Sequence, residues 1–147
     1  YRVHGKGSDK YDNVRIGLNS RLDTIQAAIL LEKLAVFPNE LAQRNLAANS
    51  YEIALSHRFK TPKIPEGYLS SWAQYTLVDS NRDAIMEGYR EKGVPSMIYY
   101  STCMHQQTVF RGLAQTDAAF PVASKLAKQV FSLPMHGYLD ITEITQL

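Results

Sequence analysis

The sequence predicts an α/β protein in which a small sheet is covered by helices on one side and is preceded by one long helix. Two observations carry this. From Ser70 onward the elements read strand, helix, strand, helix, strand, helix, the order expected of a sheet with helices packed over it. Upstream, Arg21 to Phe37 places apolar residues at Leu22, Ile25 and Ile29, and again at Ala27, Leu30, Leu34 and Phe37. Only Asp23, Gln26 and Lys33 remain as a narrow polar face. A helix apolar most of the way round is buried on several sides, so it is expected between domains or between subunits.

Each element follows from local chemistry. Tyr1 to Leu18 is rich in Gly, Lys, Asp and Asn and reads as loop. Ser20 is the expected N-cap of the long helix, with Asp23 three residues on as a capping-box partner. Pro38-Asn39 is expected to break that helix, and a second one runs to about His57. Its core face is marked by Leu41, Ala48 and Leu55, with Ala47, Tyr51 and Ala54 beside them. Arg58 to Gly67 carries two prolines and reads as a linker. Ser70 to Val78 alternates weakly and holds aromatic and β-branched residues, which suits a strand. Asn81 to Lys92 is a third helix closed by Gly93 at C′. Val94 to Tyr100 is a second strand with Pro95 near its start, and Ser101 to Ala119 is irregular. Pro121 opens a fourth helix in its first turn, ending near Gln129. Val130 to Leu133 is a third strand stopped by Pro134. At the end, Asp140 with Glu143 reads as a capping box, and Leu139 with Ile144 as a hydrophobic staple. Both ends therefore look cut, and the chain is expected to be a piece of a larger protein.

Composition narrows the function classes. In 147 residues, 45% are apolar, enough for a real core, and 20% are charged. The net charge of +2, with basic residues scattered, does not suggest a nucleic-acid partner. One cysteine, Cys103, excludes an internal disulfide and fits a reducing, cytoplasmic setting. No apolar run reaches the roughly 20 residues that cross a bilayer, and no signal peptide is visible. The four histidines, His4, His57, His105 and His136, show no metal-ligand spacing, so no metal is expected. Cys103 and His105, two apart, make a poor nucleophile–base pair on a strand or helix, and Walker, dinucleotide and nucleophile-elbow motifs are not found.

Two places attract a ligand reading. The turn Gly17-Leu18-Asn19-Ser20-Arg21 sets an Asn and an Arg at the start of a helix, where polar groups suit an anion. Arg grips a carboxylate or phosphate by two hydrogen bonds, although a turn residue beside a surface cation is the plainer reading. Tyr99 and Tyr100 end a predicted strand, where neighbours face opposite ways. One would then pack inward while the other faces a ligand, and a purely structural role for both stands beside this.

An ordered set of motifs resembles one family. It runs through His4-Gly5, Lys10-Tyr11, Gly17 to Arg21, Gln26-Ala27-Ala28-Ile29-Leu30 and Lys33-Leu34. It continues through Ser71-Trp72-Ala73-Gln74-Tyr75, Gly93-Val94-Pro95, Ile98-Tyr99-Tyr100, His105-Gln106-Gln107 and Leu133-Pro134-Met135-His136. Order and spacing are similar to the C-terminal part of the DegT/DnrJ/EryC1/StrS aminotransferases, pyridoxal-phosphate enzymes that aminate nucleotide-linked keto sugars. The resemblance implies the C-terminal portion of a type I transferase fold, with a small, mainly antiparallel sheet covered by helices. Residues 1–37 would close the large cofactor domain, and residues 38–147 would form the small C-terminal domain, truncated at its end.

It also implies a homodimer with shared active sites, pyridoxal 5'-phosphate as cofactor, and an amino-acid donor such as glutamate. By position, Asn19 matches an asparagine that reaches the cofactor phosphate of the partner subunit, and Arg21 an arginine that meets substrate there. Tyr99 and Tyr100 match the strand-end pair that approaches the sugar, and Lys10 falls where the family often has a basic residue near substrate. Ser101 and Cys103 depart from the prolines common after that pair. The family's Schiff-base lysine lies upstream of this region, so no lysine here takes that role. The Gly-x-Asn-Ser-Arg-Leu-Asp form and the Lys-Tyr-Asp-Asn stretch look most like enzymes of UDP-linked 3-keto uronic sugars. Two other readings stay open: a relative whose catalytic lysine is replaced, acting as a dehydratase or regulator, and a cofactor-free α/β interaction domain.

Overall fold

The computed structural model describes residues 2–9, 11–113, 116–140 and 142. Backbone packing divides the chain into two units, Tyr1–Pro38 and Asn39–Leu147. In the first unit, two isolated antiparallel bridges, Val3 with Asn19 and Lys6 with Asn13, fold the opening residues back on themselves. His4 N–H donates to the Leu18 carbonyl and Ser20 N–H to the Arg2 carbonyl, at 2.8 and 2.9 Å. Gly5 turns the chain at φ +75°, and a Cβ there would overlap the Arg15 carbonyl, so only glycine fits.

The long helix α1 spans Thr24–Leu55. Its cap is Asp23, not Ser20: the Asp23 carboxylate accepts the N–H groups of Ile25 and Gln26 at 2.9 and 3.5 Å. Ser20 is held in the extended pairing with Arg2, which delays the helix by three residues. The expected break at Pro38 does not occur, since Pro38 lies inside α1. A proline removes one backbone bond and costs about 3 kcal/mol. Good helix formers on both sides and the burial of Ala47, Ala48, Tyr51 and Leu55 farther along offset that cost. The burial of these four follows the predicted core face. Leu22, Ile25, Ile29, Leu30, Leu31 and Leu34, in contrast, are 51–73% exposed in this chain.

In the second unit, strand β1 (Tyr75–Val78) pairs antiparallel with β2 (Val130–Leu133), Tyr75 opposite Leu133 and Val78 opposite Val130. The first predicted strand is thus shorter than Ser70–Val78. Trp72 sits at φ +48° with its N–H on the Ser70 hydroxyl, and that turn ends any extended run before Tyr75. The second predicted strand, Val94 to Tyr100, is reduced to one bridge between Met97 and Ser132. Pro95 has no N–H for a ladder, and the chain turns at Tyr99-Tyr100, whose peptide is cis. Lys60, in the predicted linker, bridges Val78 on the other side.

Helix α2 (Arg82–Glu91) closes as expected. Gly93, at φ +76°, donates to the Arg90 carbonyl and Val94 to the Tyr89 carbonyl, the two bonds of a Schellman cap. Helix α3 (Pro121–Ala127) begins with its proline in the first turn. Arg82 reaches across to donate to the carbonyl of Ala127, an orphan acceptor at the α3 C-terminus, at 2.8 Å. The core joins Tyr51, Phe59, Tyr75, Leu77, Tyr89 and Phe131. Tyr51 stacks on Tyr75 at 4.8 Å between ring centroids, and Phe59 meets Phe131 edge-on at 5.8 Å. Asp140 accepts the Thr142 N–H at 2.8 Å, as a capping residue does, while Glu143 and Ile144 lie outside the described residues. Among the described residues, no helix is long and apolar enough to cross a membrane.

Candidate functional site

In the first unit, the bridge to Val3 fixes the backbone of Asn19 just ahead of α1. The Asn19 side-chain carbonyl accepts a hydrogen bond from Arg21 Nε at 3.1 Å. That bond joins the two predicted ligand residues into one group. It uses one lone pair of the Asn19 amide oxygen and one donor of Arg21, leaving the amide NH2 and the two terminal guanidinium nitrogens as donors. Both residues are exposed. A donor-rich face of this kind suits a phosphate or a carboxylate, the guanidinium fork by two parallel bonds. The donors present therefore fit the phosphate end of pyridoxal phosphate, while the ring-binding groups implied by the resemblance have no counterpart assigned in this chain. Lys10 lies outside the described residues.

In the second unit, Tyr99 and Tyr100 do not alternate across a strand. They lie in the turn beyond Met97, their rings 5.8 Å apart and edge-on, and both line one cavity of about 670 Å³. A single bridge, not a ladder, holds this segment against β2, so the alternation expected of a strand is not imposed on the pair. Met104, His105, Phe120 and Leu126 form other parts of the cavity wall. Tyr99 is 38% exposed and Tyr100 74%, and a tyrosine couples an apolar ring to a hydroxyl that can hydrogen-bond.

The loop after this pair contains an arrangement that sequence reasoning missed. His105 Nε2 lies 2.8 Å from Asp117 Oδ1, and Gln106 Nε2 donates to the same oxygen at 2.7 Å. Gln106 also accepts the Cys103 N–H through its Oε1 at 3.0 Å. The His105 bond first, then that of Gln106, holds the Asp117 carboxyl below its ordinary value. His105-Gln106 was visible as a motif, but Asp117 stands eleven and twelve residues away with no local spacing to mark it. Among the described residues, no three metal-ligating side chains converge.

All 147 residues match the DegT/DnrJ/EryC1/StrS aminotransferase family, and the chain belongs to that family. It is 41% identical over 142 residues to the UDP-2-acetamido-2-deoxy-3-oxo-D-glucuronate aminotransferase of Pseudomonas aeruginosa, covering 96% of this chain and 38% of that protein. It is 38% identical over 138 residues to a pleiotropic regulatory protein of Geobacillus stearothermophilus, covering 91% of this chain and 37% of the relative. Among solved structures, a DegT DnrJ EryC1 StrS aminotransferase from Brucella abortus superposes with a TM-score of 0.89 at 44% identity. That match covers 97% of this chain and 39% of the other. The chain thus spans about two fifths of the length of the relatives it matches. Its architecture is that of the C-terminal part of type I aminotransferases, as the motif set implied.

Proposed function

We propose that the protein carrying this chain is a pyridoxal-phosphate-dependent aminotransferase. It moves an amino group from an amino acid such as glutamate to a nucleotide-linked keto sugar. The reading rests on the 41% identity to an enzyme named for a UDP-linked 3-oxo uronic sugar. In this reading residues 1–37 close the large cofactor domain and residues 38–147 form the small domain. The protein works in the cytoplasm as a homodimer with shared sites. The Schiff-base lysine comes from upstream sequence, and the bound cofactor supplies the electron sink of the reaction.

This chain's own residues bind and orient. The Asn19 amide would help hold the cofactor phosphate of the partner subunit. Arg21, its Nε already tied to Asn19, is pre-oriented so that its two terminal nitrogens face the sugar carboxylate. Tyr99 and Tyr100 place one wall of a cavity against the sugar, and Lys10 adds a cation near the substrate. The fixed Asn19–Arg21 bond lowers the ordering cost of the guanidinium, since one rotamer is already selected.

Arg21→Ala in the full-length protein tests the acidic-sugar reading. A charge-assisted bond to a carboxylate contributes about 1.5–3 kcal/mol, so kcat/KM for a uronic substrate falls roughly 10- to 100-fold. A neutral keto sugar loses far less. Equal losses on both would remove Arg21 as a carboxylate partner. The regulator alternative draws on the 38% identity to a pleiotropic regulatory protein. A full-length protein that is yellow and reducible by borohydride argues against it.

A further inference from the structure

We propose that the His105–Asp117 link is a positioning clamp that shapes the sugar side of the pocket faced by Tyr99 and Tyr100. The proposal rests on the aminotransferase reading for its substrate, but not for its geometry. The loop following Tyr100 is built of short 3-10 turns at Met104–Gln106, Thr108–Leu113 and Asp117–Ala119. Among the described residues from 103 to 120, its backbone hydrogen bonds outside those turns join residues three apart. Such local bonds shape each turn without fixing one turn against another.

The ties that do so are the two side-chain bonds on Asp117 Oδ1, from His105 and from Gln106. Asp117 begins the turn that leads directly into α3, so these bonds close the start of the loop onto the helix that forms the opposite pocket wall. His105 serves both functions. Its side chain is 8% exposed, its ring lies 4.8 Å from the Phe120 ring, and it lines the cavity while its Nε2 holds Asp117. Gln106 carries the closure on to the Cys103 amide, so Cys103, His105 and Gln106 are tied to the turn that starts at Asp117. His105 does not touch the reacting atoms in this scheme. It acts through the position of the wall that faces Tyr99 and Tyr100.

Cys103, half-buried beside the clamp and the single cysteine of the chain, provides a direct readout. In the full-length protein, the rate at which iodoacetamide modifies Cys103 is followed by peptide mass spectrometry for wild type, His105→Asn and Asp117→Ala. The Asp117 side chain is 55% exposed, so its replacement leaves the core intact. Loss of the clamp raises Cys103 labelling roughly 5- to 10-fold in both variants, within the factor expected for the net loss of one ordinary, partly exposed hydrogen bond. The same variants raise KM for the keto-sugar nucleotide by a similar factor, about 5- to 10-fold, with kcat and the amino-donor half-reaction held within about twofold. Unchanged Cys103 labelling in both variants overturns the clamp. So does a fall in kcat at constant KM, which would place His105 in the chemistry instead. A wild-type protein that aminates no keto sugar refutes the substrate reading alone, because the labelling comparison still decides the clamp.

Discussion

Replacing Tyr51 by Phe removes one oxygen from the centre of the second unit and leaves the ring. The Tyr51 hydroxyl donates to the Pro134 carbonyl at 2.8 Å, joining α1 to the residue that ends β2 across 83 positions. A net hydrogen bond contributes about 0.5–1.5 kcal/mol, and an orphaned acceptor adds desolvation cost, so the loss at about pH 8 is about 1–2 kcal/mol. The stack on Tyr75 survives, since it needs only the ring. The pH dependence sharpens the test. Burial, with Tyr89 adding a smaller contribution, pushes the Tyr51 phenol up to about 12 from 10.0. Its folded value therefore lies above its unfolded one. The stability carried by the neutral phenol is complete below about pH 10 and is lost as pH rises through about 12. Phe does not titrate. Tyr75, raised by burial and then by the Glu52 carboxylate, is present in both proteins and largely drops out of the comparison. Urea unfolding followed by the fluorescence of Trp72, the single tryptophan, reports the difference directly. The gap between the two proteins should narrow from about pH 8 to about pH 11. A gap under about 0.5 kcal/mol at the lower pH, or one of equal size at both, would refute the reasoning.

Phe131→Ala should cost about 3–5 kcal/mol, because Phe131 is fully buried against Phe59 and Tyr89; the same urea titration reads it. Gly5→Ala should disturb the opening turn, since a Cβ overlaps the Arg15 carbonyl and φ is +75°; faster amide exchange at His4 and Ser20, with Leu77 unaffected, is the expected outcome. The 147-residue chain expressed by itself should show no transaminase turnover with any donor, as no lysine here is assigned the covalent role. A coupled assay for the keto-acid product checks this.

Much of the second unit was legible because its signals are local. Gly93 at a helix end and Pro121 at a helix start act through their own backbone, and both do what their residue types dictate. β2 needed only a short β-branched and aromatic run ended by a proline. Elsewhere distant partners decided. Pro38 fails to break α1 because burial of Ala47, Ala48, Tyr51 and Leu55, about two to five turns farther along, is linked to the same helix. Asp23 displaces Ser20 as the cap because Ser20 is pulled into an extended pairing with Arg2. Of the candidate site, the polar turn of Asn19 and Arg21 ahead of a helix was readable, but not the bond that joins the two side chains. The shared cavity of Tyr99 and Tyr100 was hidden by the assumption of a full strand. The His105–Asp117 link was hidden by a separation that no period describes.

The exposed leucines and isoleucines at the start of α1 have a consequence for how this chain behaves in a tube. The largest patch on an ordinary monomer is a few hundred Å², and five half- to three-quarters-exposed aliphatic side chains, Ile25, Ile29, Leu30, Leu31 and Leu34, concentrate cohesion on one stretch of helix. Association through such a stretch follows mass action, so for the separated chain concentration would set the state before temperature did. Dilution and mild detergent would keep it in solution more effectively than cooling, since the attraction between apolar surfaces weakens only slowly as water is cooled.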